Sequence, residues 1–174
     1  MASWGYWNED VELTFKAYKA ILDAVYQRYS GRKSLPGQKP FVSVEEFRDL
    51  CNEASLVNDW FTSRDIELVY GLGMMTRVDE IFKKTHVEMK YVEFLEAIGR
   101  LCDMASYKGN LELTTEELKS LPLSKKIQNI MPKLLQVCYK SLQISFVMPT
   151  EETIQQLRSR QQKRRSSNIW EYKY

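Results

Sequence analysis

One histidine in 174 residues cannot build a zinc centre by itself. His86 has no cysteine or carboxylate beside it at ligand spacing, and a tetrahedral site needs three further ligands. No glycine-rich phosphate loop is present. The Gly71 to Gly73 stretch lacks the remaining glycine and the lysine of such a loop and sits inside a helical pattern, where it reads as a close helix contact. No apolar run approaches the roughly 20 residues that cross a bilayer, and MASWGYWNED lacks the basic and then apolar order of a secretion signal. The expectation is a cytoplasmic chain with no membrane partner. Glycine and proline are scarce, at 7 and 5, so most of the chain should be ordered. The 3 cysteines, Cys51, Cys102 and Cys138, are an odd number spaced among apolar residues, which predicts buried, reduced thiols rather than a disulfide framework. Acidic pairs such as Glu45 with Glu46 and Glu116 with Glu117 open helices, where they suit the macrodipole better than acid–base work. No catalytic residue, cofactor site or metal site is expected, and no enzyme.

What is present is helical periodicity. At 44% hydrophobic and 28% charged, the chain can bury one substantial core. Val11, Phe15, Tyr18, Leu22, Val25 and Tyr29 recur at alternating steps of four and three, predicting one long helix over about residues 8 to 29. The basic loop SGRKSLPGQKP ends it. Ser43 and Glu46 form a capping box ahead of Phe47, Leu50, Cys51 and Ala54, and Thr62 with Asp65 repeats the device ahead of Ile66, Val69, Tyr70 and Met74. Leu95, Ile98 and Cys102 mark a helix from Tyr91. Thr114 with Glu117 suggests a further box before Leu118 and Leu121, and Ile127, Ile130, Leu134 and Cys138 continue helically over 124 to 146. Pro132 should kink or break that segment. Strand alternation is missing apart from short extended pairs around Val42 and Met89. The predicted class is all-α, with a helical domain over residues 1–148 and a basic helix or tail over 149–174.

Two helix–loop–helix passages invite comparison with a calcium-binding hand. With Glu46 and Glu93 at the twelfth loop position, Val42 and Met89 fall at the eighth, where the template pairs an apolar residue with its counterpart in the partner loop. Calcium wants six to eight oxygens, with Asp or Asn at positions one, three and five and glycine at six. The first loop offers Leu35, Gly37, Lys39 and Pro40 there, and the second Phe82, Lys84, His86 and Val87. The scaffold of paired hands survives without its ligands.

The segment from about Phe41 to Asp103, above all GMMTRVDEIFKKTHVEMKYVEFLEAIGRLCD, resembles degenerate EF-hand proteins of the calmodulin superfamily, of the kind associated with cilia and flagella of protists. The resemblance implies a paired-hand fold and a role in protein association. It carries no calcium ligand to this chain beyond the acidic Glu46 and Glu93. The function expected is a calcium-independent adaptor or structural component that clasps a partner helix, with a cytoskeletal or ciliary setting and tubulin-like acidic surfaces as natural partners.

Three surface features could serve such a role. Met74 and Met75 could line an adaptable groove. Trp4, Tyr6 and Trp7 are many large rings for a solvated terminus, so packing on the body or on a partner is expected. The tail from Ile154 to Tyr174 holds Arg158, Arg160, Lys163, Arg164, Arg165 and Lys173 against Glu171, which leaves the tail near +5 and the body near −3. With Trp170 as apolar grip, the tail is a candidate for docking on an acidic protein surface; nucleic acid or another acidic polymer is the alternative partner.

Overall fold

The computed structural model describes residues 7–32, 34–59, 61–74, 87–109, 117, 120–143 and 145–171, and seven α-helices lie among them. Thr114, His86, Met75, Trp4 and Tyr6 lie outside the described residues.

The expected first helix is present as two, α1 (Glu9–Ala17) and α2 (Lys19–Tyr29), divided at Tyr18, whose φ of −91° and ψ of 8° leave the α region. The stripe itself is continuous, since Val11, Phe15, Tyr18, Leu22, Val25 and Tyr29 are all buried. The hydrogen-bond ladder still crosses the division, from the Tyr18 amide to the Thr14 carbonyl and from the Leu22 amide to the Tyr18 carbonyl, both at 3.1 Å.

The capping boxes form as the sequence predicts. The Glu46 amide donates to the Ser43 hydroxyl at 3.3 Å and the Ser43 amide to the Glu46 carboxylate at 2.7 Å, opening α3 (Val44–Glu53). The Asp65 carboxylate accepts from the Thr62 amide at 2.9 Å at the start of α4 (Ser63–Gly73). Then follow α5 (Tyr91–Gly109), α6 (Leu123–Leu142) and α7 (Glu151–Glu171).

Pro132 does not break α6, which runs through it. The proline faces solvent, where water can serve the carbonyl whose amide partner is missing. On the opposite face Ile127, Ile130, Met131, Leu134, Val137 and Cys138 are buried on both sides of it, so tertiary packing holds the helix together. Helix α2 packs on α3 and α5, α3 on α4, and α4 on α5; α6 lies across α5, α2 and α1, and α7 lies against α1.

Gly73 sets how closely α4 approaches α5. A Cβ there would stand 2.8 Å from Ala97 Cβ and 3.0 Å from its Cα, whereas one at Gly71 would meet nothing within 4 Å. Gly73→Val is expected to cost about 1–3 kcal/mol through overpacking, and Gly71→Ala to add about 0.5–1 kcal/mol from helix propensity. Urea denaturation of the two variants should move in opposite directions; equal shifts would mean that the contact does not set the spacing.

The three cysteines are free and buried, as expected. Burial pushes the Cys51 thiol from an ordinary 9.0 up to about 12, and it raises Cys102 and Cys138 as well. None should react with a disulfide reagent at neutral pH without denaturant. Because the folded state favours the protonated Cys51 thiol, its stabilising contribution is complete below pH 9.0 and is lost as the pH rises toward about 12. Prompt labelling of the native protein would contradict this burial.

Candidate functional site

The two helix–loop–helix units meet where Val42 and Met89 pair in an isolated antiparallel bridge. Each donates its amide to the other's carbonyl, at 2.9 Å from Val42 and 3.1 Å from Met89, and both side chains are fully buried. The contact expected from the template positions is therefore present. The Tyr70 hydroxyl adds a staple that the sequence reading missed, having placed Tyr70 only in the apolar stripe of α4. It lies 2.9 Å from the Val42 carbonyl and 2.9 Å from the Val87 carbonyl, one in each loop, and shares its proton between them. Burial holds this phenol well above the usual tyrosine range, with the nearby carboxylates Glu93, Glu45 and Glu46 acting the same way. A third tie runs from the Gln38 amide to the Glu88 carboxylate at 2.8 Å.

Glu46 and Glu93, the two residues that match the calcium template, are both buried and committed to their helices. Glu46 accepts from the Ser43 amide, and Glu93 accepts from the Lys90 amide at 2.8 Å at the start of α5. The second Glu46 oxygen, Oε1, is buried without a hydrogen-bond partner, but one oxygen is far short of the six to eight that calcium takes. Of the other template positions in the first loop, Leu35, Gly37, Lys39 and Pro40 supply no side-chain carboxylate or amide oxygen, and no cluster of three metal-ligating side chains occurs among the described residues. Calorimetry with calcium is expected to give no isotherm, and the melting temperature should be the same in calcium and in chelator. A dissociation constant below about 10⁻⁴ M would overturn this expectation.

The tail is helical in α7 and docks on the body. Ile154 is buried, with Leu157 and Gln161 half-buried on the same stripe. Arg158 reaches Asp10 at 2.6 Å and Arg165 reaches Glu9 at 3.2 Å, both carboxylates standing in the first turn of α1. Such exposed pairs contribute about 0–1 kcal/mol each, so they orient α7 more than they hold it. Arg160 lines a shallow surface with Glu152, Gln155, Gln156 and Ser159. Lys163 and Arg164 are exposed on the same helix, and Trp170 lies in its last turn, its side chain outside the described residues. Met74 caps α4 and packs half-buried on the core. The Met74 end of α4 and the tail cations do not form one constellation, since α4 packs on α3 and α5 and α7 on α1. Trp7 packs on the body, stacked on Phe15 at 5.4 Å with its indole N–H donating to Glu96.

Two further features carry no simple sequence signature. Lys126, only 3% exposed, pairs with Asp103 at 2.7 Å and ties α6 to α5 from inside. On the outer flank of α6, a cleft of about 250 Å³ is lined by Pro132, Leu135, Gln136, Tyr139, Ser145 and Phe146. No helix among the described residues is long and apolar enough to cross a membrane. Comparison of the chain with protein-family models, curated proteins and solved structures finds no match.

Proposed function

We propose that this chain is a calcium-independent protein-binding adaptor, built on a degenerate EF-hand-like pair that clasps one of its own helices. The observation that carries the reading is the loop junction. Val42 and Met89 pair the loops, while Glu46 and Glu93 spend their carboxylates on capping, so the arrangement needs no ion to hold its shape. The apolar face of α6 is buried across α5, α2 and α1, which is how a target helix is held in a helix-in-groove complex. With that place taken in cis, a partner is met by the outer surfaces. A cytoskeletal or ciliary setting, with a tubulin-like acidic surface as partner, rests on the family resemblance alone. Against nucleic-acid binding through a free tail stand the ion pairs of Arg158 and Arg165 with α1.

The test is cross-linked affinity capture with the full chain, repeated in calcium, in chelator and after nuclease treatment. A stoichiometric protein partner recovered equally in all three supports the adaptor. Recovery that requires calcium, or that disappears with nuclease, rejects it.

A further inference from the structure

We propose that the outward face of α6 is a docking surface for an acidic protein segment that carries an apolar anchor residue. The proposal deepens the adaptor reading and rests on it. Its starting point is charge: from Leu118 to Thr150 the chain contains no aspartate or glutamate, while Lys119, Lys125, Lys126, Lys133 and Lys140 all fall there. Lys126 is turned inward to Asp103, and Lys125 bonds Glu151 at 3.0 Å. Lys133 and Lys140 are exposed, two helical turns or about 10 Å apart along one side of α6. Gln136 sits between them on the same side and is also part of the cleft wall.

The cleft supplies the other half of the recognition. Pro132, Leu135, Tyr139 and Phe146 make its wall mainly apolar, and none of its six lining residues carries a charge. Tyr139 is 65% exposed, and Val147, next in the chain to Phe146, is 94% exposed. Two large apolar side chains held in water beside a cleft are what a buried anchor would cover. The lysines alongside would steer and register carboxylates flanking that anchor. A phosphodiester backbone fits this face less well, since it would leave the apolar cleft unfilled and find only lysines, without the arginine forks that grip phosphate from two sides. The occupant is therefore an extended or helical acidic peptide with one aromatic or aliphatic side chain in the cleft.

The experiment is fluorescence anisotropy of the full chain with a labelled peptide in which one tryptophan is flanked on each side by several glutamates. Comparison probes are an all-glutamate peptide, a tryptophan peptide with lysine flanks, and a thymidine oligonucleotide. The tryptophan–glutamate peptide should bind most tightly and weaken between about 50 and 200 mM salt. Lys133→Glu with Lys140→Glu should weaken it by roughly tenfold, Lys133→Gln with Lys140→Gln by less, and Tyr139→Ala by roughly fivefold. Lys133, Lys140 and Tyr139 all stand in solvent, and unchanged circular dichroism melts would show that the variants fold. Arg160→Glu with Lys163→Glu on α7 should leave binding unchanged. The proposal is overturned by absence of binding up to about 1 mM peptide, by indifference to the α6 variants, by loss through the α7 variants instead, or by tighter binding of the oligonucleotide. If capture of a protein partner persists while the peptide fails, only this surface is rejected. If the peptide binds at α6 while capture fails, the adaptor reading falls and the surface stands.

Discussion

Met89→Asp is expected to remove about 2–5 kcal/mol of folding stability, and Val42→Asp to do the same. Both side chains are fully buried at a bridge that joins the two loops. An aspartate there places a charge among apolar neighbours, beside the Val42 and Val87 carbonyls that share the Tyr70 proton. The loss is a large part of the roughly 5–15 kcal/mol that a domain of this kind possesses. The effect should reach all of α2 to α5, because these helices enter and leave the joined loops. Glu46→Gln is the control. A glutamine oxygen still accepts from the Ser43 amide, so the capping bond survives and the change should be small. Urea denaturation of the three variants decides the matter: equal, small losses would mean that the Val42–Met89 junction does not organise the fold.

Asp103→Asn should cost about 3–5 kcal/mol, the penalty of removing one charge from a buried ion pair. Lys126 is 3% exposed and its ammonium lies 2.7 Å from the Asp103 carboxylate, which an amide replaces only in shape. The damage should concentrate on α6, since this pair ties it to α5 from beneath its apolar face. Hydrogen exchange would then show α6 losing protection before α3 and α4 do. The double variant Asp103→Leu with Lys126→Met removes both charges and should recover most of the loss, because an apolar pair of similar volume needs no desolvation repaid. If the single variant were as stable as the parent, Lys126 would have another carboxylate or water at hand and the tie would not be specific.

The helical stripes, the Ser43 and Thr62 boxes, the buried cysteines and the meeting of Val42 with Met89 were legible in the residues. Each depends on spacing within one segment, or on two segments that repeat the same local pattern. The division at Tyr18 was not legible, because the stripe reads straight through it. Pro132, expected to kink or break its helix, does not break it. Local chemistry alone disfavours the helix there, and only the packing of Ile127, Ile130, Met131 and Leu134 overrides it. The burial of Lys126 has no local signature, since nothing near it in sequence announces a carboxylate 23 positions away. The docking of the tail was equally hidden: Ile154, Leu157 and Gln161 are too sparse a stripe to name a partner, and Arg158 meets Asp10 across 148 positions.

By itself, then, the sequence determined the all-α class, the starts of α3 to α6, the lack of calcium-ligand side chains at the template positions and the lopsided charge, all properties of short stretches whose physics is local. The tertiary structure alone decided that α6 packs across α5, α2 and α1, that α7 lies on α1, and which lysines stay outside. An apolar stripe requires burial but does not choose what buries it. That choice depends on the summed fit of several faces at once, and it emerges only when the whole chain is closed on itself.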